Sequence, residues 1–285
     1  MNVDTLAKQL LFSTVRITNT ELNGDVSTGT GFLFNGGTSL EPSETVAMVI
    51  SNKHVIGNAA RLEFDFLARN ASNTGPDLSV PPRKFSVGGA DAQKVIGHPD
   101  PDVDIALMPL NEMVLAMDEQ DRPFLLLLNW WHLPSAATLE KLDVIEELTF
   151  IGYPDGWMDE VHGTPIVRQA ITATPLMLPF DGEPTFLVDG SVFAGSSGSP
   201  VFILNRGSWV SPTEGVVLGD RILLVGIISD TGVRESDIPV QVAKKPFVRI
   251  SEELDLGFAF TAQAIAETVN HARITSGLPP FSAMA

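Results

Sequence analysis

The run Gly195-Ser196-Ser197-Gly198-Ser199-Pro200 constrains this chain more than any other stretch of it. Glycines on both sides of a serine let the backbone make a tight turn closed to residues with a Cβ, and such a turn can aim backbone N–H groups into one small cavity. Pro200 ends the turn where an apolar strand, Val201-Phe202-Ile203-Leu204, begins. A serine held this way is a competent nucleophile only with a base beside it and with donors facing the oxyanion it creates. A Gly/Ser-rich surface turn would look the same, so the rest of the chain must decide.

Upstream, Met48-Val49-Ile50-Ser51-Asn52-Lys53-His54-Val55-Ile56 reads as an apolar strand, a short polar break and a histidine. Further on, Asp102-Val103-Asp104-Ile105-Ala106-Leu107-Met108-Pro109-Leu110 puts a carboxylate at the head of a buried strand. Two aspartates compete there. Asp104 stands directly before the Ile-Ala-Leu run and is the better candidate; Asp102 is the alternative. The order along the chain is His, Asp, Ser, one of several orders in which a nucleophile, a base and an orienting carboxylate recur on unrelated folds.

These residues resemble the trypsin/chymotrypsin-fold serine proteases, and within them the bacterial, cysteine-free, HtrA-like branch. The resemblance rests on Gly29-Thr30-Gly31-Phe32-Leu33, Ser51-Asn52-Lys53-His54-Val55, Asp104-Ile105-Ala106-Leu107, the Gly195–Pro200 run and Val225-Gly226-Ile227-Ile228-Ser229. It covers roughly residues 10 to 270 and leaves no room for an appended PDZ domain. It implies an all-β fold of two six-stranded antiparallel β-barrels (chymotrypsin-like), with a short N-terminal helix and a C-terminal helix. Two departures matter. Ser196 stands where many animal relatives carry the aspartate that accepts a liberated N-terminus, so zymogen activation of that kind is not expected. Ser199 replaces a second glycine.

Length and composition agree. A chain of 285 residues, 44% apolar, can fill two cores within one all-β protein. A formal net charge of −17 argues against nucleic acid or an anionic membrane surface as partner, and favours neutral or cationic substrates. With no cysteine, stability must come from packing rather than disulfides. The N-terminus lacks the basic region and apolar run of a signal peptide, and no stretch has the length of a membrane span. The expectation is a cytoplasmic protein, or a periplasmic one if a leader was removed.

The expected organisation is an N-terminal helix over 1–12, capped at Asp4, and a first barrel over 13–110 carrying His54 and Asp104. Its strands are expected at 13–18, 29–35, 46–51, 61–66, 93–97 and 104–110. An exposed loop covers 68–83, and a linker with helical turns covers 111–145. The second barrel, 146–260, carries Ser197, with strands at 146–152, 166–174, 185–189, 200–204, 222–229 and 257–260. A C-terminal helix and tail take 261–285.

The resemblance assigns the roles. Ser197 attacks a carbonyl, His54 takes its proton and returns it to the leaving group, and Asp104 orients the imidazole. The amides of Gly195 and Ser197 form the oxyanion hole. Turnover is then expected to rise through a histidine-like ionisation near roughly 6.5 and to need no metal. The primary pocket falls to Ser191 at its base, with Val192 and Phe193 nearby, and Ser229, Asp230 and Thr231 on its wall. With no carboxylate at the base and Thr231 narrowing the entrance, cleavage after small or medium uncharged residues is expected, although Asp230 facing inward would recruit a basic one. His98, in a proline-flanked turn, reads as structural; His132 lies in the linker and His271 on the last helix. The Asp100/Asp102/Asp104 ladder lacks the glycine and closing glutamate of a calcium loop, so neither a metal nor another cofactor is expected. The Gly152-Tyr153-Pro154-Asp155-Gly156 turn is assigned no chemistry. A serine endopeptidase acting on a polypeptide substrate, monomer or dimer, is the leading reading. An esterase or acyl hydrolase on the same triad and a protein-binding pseudoprotease are the alternatives.

Overall fold

The computed structural model describes residues 1–37, 45–237 and 249–281; the side chains of 230–237 and 249–254 lie outside that description. Among the described residues fifteen strands and five α-helices are ordered α1 (Leu6–Leu11), β1 (Thr14–Glu21), β2 (Val26–Asn35), β3 (Ala47–Ser51), α2 (Lys53–Ile56), β4 (Ala59–Phe66), β5 (Arg83–Gly88), β6 (Ile96–Gly97) and β7 (Ala106–Pro109). There follow α3 (Asn111–Leu115), α4 (Ala136–Leu139), β8 (Glu147–Gly152), β9 (Ile166–Thr172), β10 (Thr185–Asp189), β11 (Pro200–Asn205), β12 (Ser208–Ser211), β13 (Gly215–Leu218), β14 (Arg221–Asp237), β15 (Arg249–Thr261) and α5 (Ala262–Thr275).

The first sheet runs β5-β4-β1-β2-β3-β7-β6 and the second is a closed barrel, β10-β15-β14-β11-β8-β9. The closed barrel has the expected six strands. The first unit has seven and curls as a half-barrel, because β5 pairs along β4 from Arg61↔Gly88 to Phe66↔Arg83. That strand turns only Phe85 and Val87 toward the core, between polar and exposed neighbours. Two further differences are local. The N-cap of α1 is Thr5, whose hydroxyl accepts the Lys8 N–H, while Asp4 pairs with Lys8 Nζ at 2.6 Å. Asp102 and Asp104 stand in the loop before β7, not on the strand.

Three apolar clusters explain the near-continuous hydrophobic runs. Alternate residues of β2, β3 and β7 point to opposite sides of the sheet. Leu33, Val49 and Met108 fill the first unit. Phe32, Ile50 and Leu107 face the other way, into a central cluster with Phe202 and Leu224 of the second barrel and Ile265 of α5. Phe150, Phe186, Val201 and Val225 fill the second barrel. Strands buried on both faces carry no polar alternation. The two units therefore share one apolar seam, closed from behind by α5, whose Ile265, Val269 and Ala272 lie on one helical stripe. No helix among the described residues is long and apolar enough to cross a membrane.

Candidate active site

His54 sits in the four-residue helix α2, directly after the β3 strand that anchors it to the seam. The buried Asn52 caps that helix and donates from Nδ2 to the Asp104 carbonyl at 2.7 Å. Lys53 Nζ donates to the carbonyls of Asp100 and Pro101, at 2.9 and 3.1 Å. Both loops are thus tied at several points. Across them the His54 N–H donates to Asp104 Oδ1 at 3.1 Å, and His54 Nδ1 lies 2.5 Å from Asp104 Oδ2. An ionised carboxylate only accepts, so the ring proton is on Nδ1 and the lone pair of the neutral imidazole is on Nε2. Asp102 takes no part; its N–H donates to Asp100 Oδ1.

Ser197 comes from the second barrel, on the loop before β11. Its carbonyl accepts the Thr30 N–H at 2.9 Å, which docks the loop onto β2. Its hydroxyl donates to the Ser229 carbonyl at 2.8 Å, and the Ser229 hydroxyl donates to Asp104 Oδ2 at 3.4 Å. Ser229 thus links the serine to the carboxylate. The serine hydroxyl thus donates to that carbonyl, and proton transfer requires its proton to turn to the imidazole.

Gly195 and Gly198 adopt φ of +81° and +87°, the left-handed region. Space also demands glycine. A Cβ on Gly195 would lie 2.6 Å from the Asp155 nitrogen, and one on Gly198 would overlap the Thr30 carbonyl oxygen. Around the loop the amides of Ser196, Gly198 and Ser199 donate to Phe193, Ile228 and Ser196. The amides of Gly195 and Ser197 have no acceptor among the described residues. The Asp155 N–H donates to the Ala194 carbonyl at 2.6 Å. In a trans peptide C=O and N–H point oppositely, so this bond turns the Gly195 N–H away from Asp155. The turn assigned no chemistry in the sequence therefore orients one of the two unpaired amides.

Of the pocket residues, Ser191 is half-buried and Val192 is buried with its side chain against Gly257 of β15. Phe193 lies under the Arg168 guanidinium, 4.7 Å from Cζ to the ring centre. Asp230 and Thr231 pair along the backbone with Phe258 and Gly257, but their side chains lie outside the described residues.

Three of the other histidines are engaged elsewhere. His98 is buried, with Nε2 3.1 Å from Glu267 of α5, and its Nδ1 accepts the Asp100 N–H. Burial pushes the His132 pKa down, against a hydrogen bond at Asn129 that raises it. His162 holds the Asp159 carboxyl below its ordinary range through a hydrogen bond. Among the described residues no three His, Cys, Asp or Glu side chains gather as a metal site.

A closed six-stranded barrel, a half-barrel and a serine loop facing a His–Asp pair across their seam define the chymotrypsin-like fold. The sequence matches the family described as trypsin-like peptidase domain over residues 29–211, well over half its length, and the chain belongs to that family. Solved structures with a similar fold include the HtrA-type protease AlgW with a tripeptide, at 15% identity over 94% of this chain with a TM-score of 0.48. This chain spans 62% of the AlgW chain. The Rv3671c protease of M. tuberculosis in its active form shares 17% identity over 98% of this chain and 87% of its own, with a TM-score of 0.46. The serine endoprotease of Yersinia pestis shares 17% over 97% of this chain and 69% of its own, with a TM-score of 0.48. A comparison with curated proteins found no match.

Proposed function

We propose that this trypsin-like peptidase is a serine endopeptidase working through Ser197, His54 and Asp104. The observation that carries the reading is the contact of Asp104 with both the ring and the amide of His54, in the cleft where the Gly195 and Ser197 amides have no acceptor among the described residues. On substrate binding the Ser197 hydroxyl leaves the Ser229 carbonyl and turns to His54 Nε2. Oγ then bonds to the scissile carbonyl carbon, and its proton passes to the imidazole. The carbonyl π-pair moves to oxygen, where the Gly195 and Ser197 N–H groups stabilise it. Collapse breaks the C–N bond as the imidazolium gives its proton to the leaving amine. Water repeats the cycle on the acyl-enzyme and regenerates Ser197. The carboxylate fixes the ring tautomer and stabilises the imidazolium throughout.

Side-chain preference follows from the pocket floor. Ser191 carries no charge, and Val192 spends its volume against Gly257. Small or medium uncharged residues before the cleaved bond fit this floor, with a graded preference, since one methylene is worth about 1–3 kcal/mol. A fluorophosphonate probe with peptide-library turnover tests the reading. Labelling at Ser197 with cleavage after such residues supports it; labelling without peptide turnover points to an esterase, and no labelling to a binding protein.

A further inference from the structure

Gly195 is the most freely rotating residue of the proposed oxyanion hole, and a flip of its preceding peptide would turn its N–H out of the cleft. Two hydrogen bonds hold the flanking peptides, and both lead to the first β-unit. Thr30 Oγ1 donates to the Gly195 carbonyl at 3.0 Å and itself accepts the Tyr153 N–H at 2.9 Å. Thr30 is fully buried on β2, so its hydroxyl is fixed between two second-barrel peptides. The Ala194 carbonyl accepts from Asp155 N, in a turn whose Asp155 and Gly156 have φ of +50° and +73°. A non-glycine residue in that region costs of order 1–3 kcal/mol and persists only when its surroundings impose it. Here Arg16 of β1 braces the turn beside the Gly156 N–H to Tyr153 carbonyl bond. Its Nη1 donates to the Gly156 carbonyl at 3.0 Å, while its Nε donates to Asp65 Oδ2 at 2.6 Å. The Asp65 side chain is 6% exposed and the Arg16 side chain 20%, so the pair is shielded from water.

We infer that Thr30 and Arg16 are positioning residues for the oxyanion hole: the first β-unit holds Gly195 in its working orientation, Thr30 directly and Arg16 through the 154–156 turn. The inference rests on the peptidase reading above. Neither residue touches substrate. Their contribution belongs to the transition state, because a misaimed Gly195 N–H is missed only when charge develops on the carbonyl oxygen. An arginine is needed because two bonds leave its guanidinium in different directions, and a lysine ammonium cannot reproduce that fork.

The experiment compares wild type with Thr30→Val, Thr30→Ser, Arg16→Met and Arg16→Lys, with active sites titrated by a fluorophosphonate so that rates refer to competent protein. Removing one hole donor costs about 100- to 1,000-fold in related sites, and loosening one is expected to cost about 10- to 100-fold in kcat with KM little changed. Affinity for a tetrahedral peptide boronate should fall in the same proportion, while the affinity of the Ser197→Ala background for uncleaved peptide stays level. Thr30→Ser should restore most of kcat, and Arg16→Lys should not. Unchanged kcat per titrated site in both Thr30→Val and Arg16→Met, or equal losses for boronate and uncleaved peptide, would overturn the inference and leave the peptidase reading standing. A wild-type protein that neither labels nor cleaves peptide would overturn both.

Discussion

His54 Nδ1 lies 2.5 Å from Oδ2 of Asp104, and the His54 backbone N–H reaches the other oxygen of the same carboxylate at 3.1 Å. One side chain therefore fixes both the ring and the helix start that carries it. Replacing Asp104 by Asn preserves shape but presents an NH₂ or a neutral oxygen to the ring, which frees the imidazole to take the wrong tautomer. We expect kcat to fall by roughly 10⁴-fold on the pattern of such triads, with the fold intact. Asp102→Asn should leave kcat within a few-fold of wild type. Steady-state kinetics on both variants makes the comparison, and the reverse ranking would move the role to Asp102.

Acid should switch the enzyme off. The base must be neutral to accept the Ser197 proton, so kcat/KM should decline as pH falls through the ordinary histidine range, about 6.5. Chelation by EDTA should leave turnover unchanged. A pH–rate profile flat down to pH about 4 would show that another group serves as base.

The seam should be the most sensitive part of the core. Phe202 is fully buried in the central cluster that joins both β-units to α5. Phe202→Ala should cost about 3–5 kcal/mol through lost burial and the cavity left behind. A denaturant melt checks it; a loss below 1 kcal/mol would mean that the two units do not depend on this seam.

The strand-rich plan was legible because motifs stood in order and because stretches buried on both faces, such as 47–50 and 200–203, are apolar throughout. What escaped was set by pairing and not by pattern. β5 is an edge strand with mostly polar, exposed residues, and the β12–β13 hairpin has Val210, Val216 and Leu218 on its exposed face. Each turns only two apolar residues the other way, Phe85 with the buried Val87 and the half-buried Trp209 with Val217, too short a run for periodicity to read. In the site, His54, Asp104 and Ser197 stand in recognisable motifs, whereas the sequence marks Ser229 only as pocket wall although its hydroxyl reaches Asp104. Arg16 and Asp155 carry no motif. Their roles depend on contacts 140 and about 40 residues away in sequence, through one carbonyl and one amide. The positive φ of Asp155 had a trace in the Pro-Asp-Gly triplet, a turn signal whose partner no sequence names.

The central claim is that Ser197 is the nucleophile, and peptide turnover by Ser197→Ala measured beside fluorophosphonate labelling and thermal melting tests it most directly. Ser197 is half-buried and among the described residues its hydroxyl makes one hydrogen bond, to a carbonyl, so removing it should barely shift the melt. We expect labelling to vanish and turnover to fall by several powers of ten. Retained labelling or turnover in that variant would contradict the account, and so would a melting point lowered enough to make the serine a structural residue.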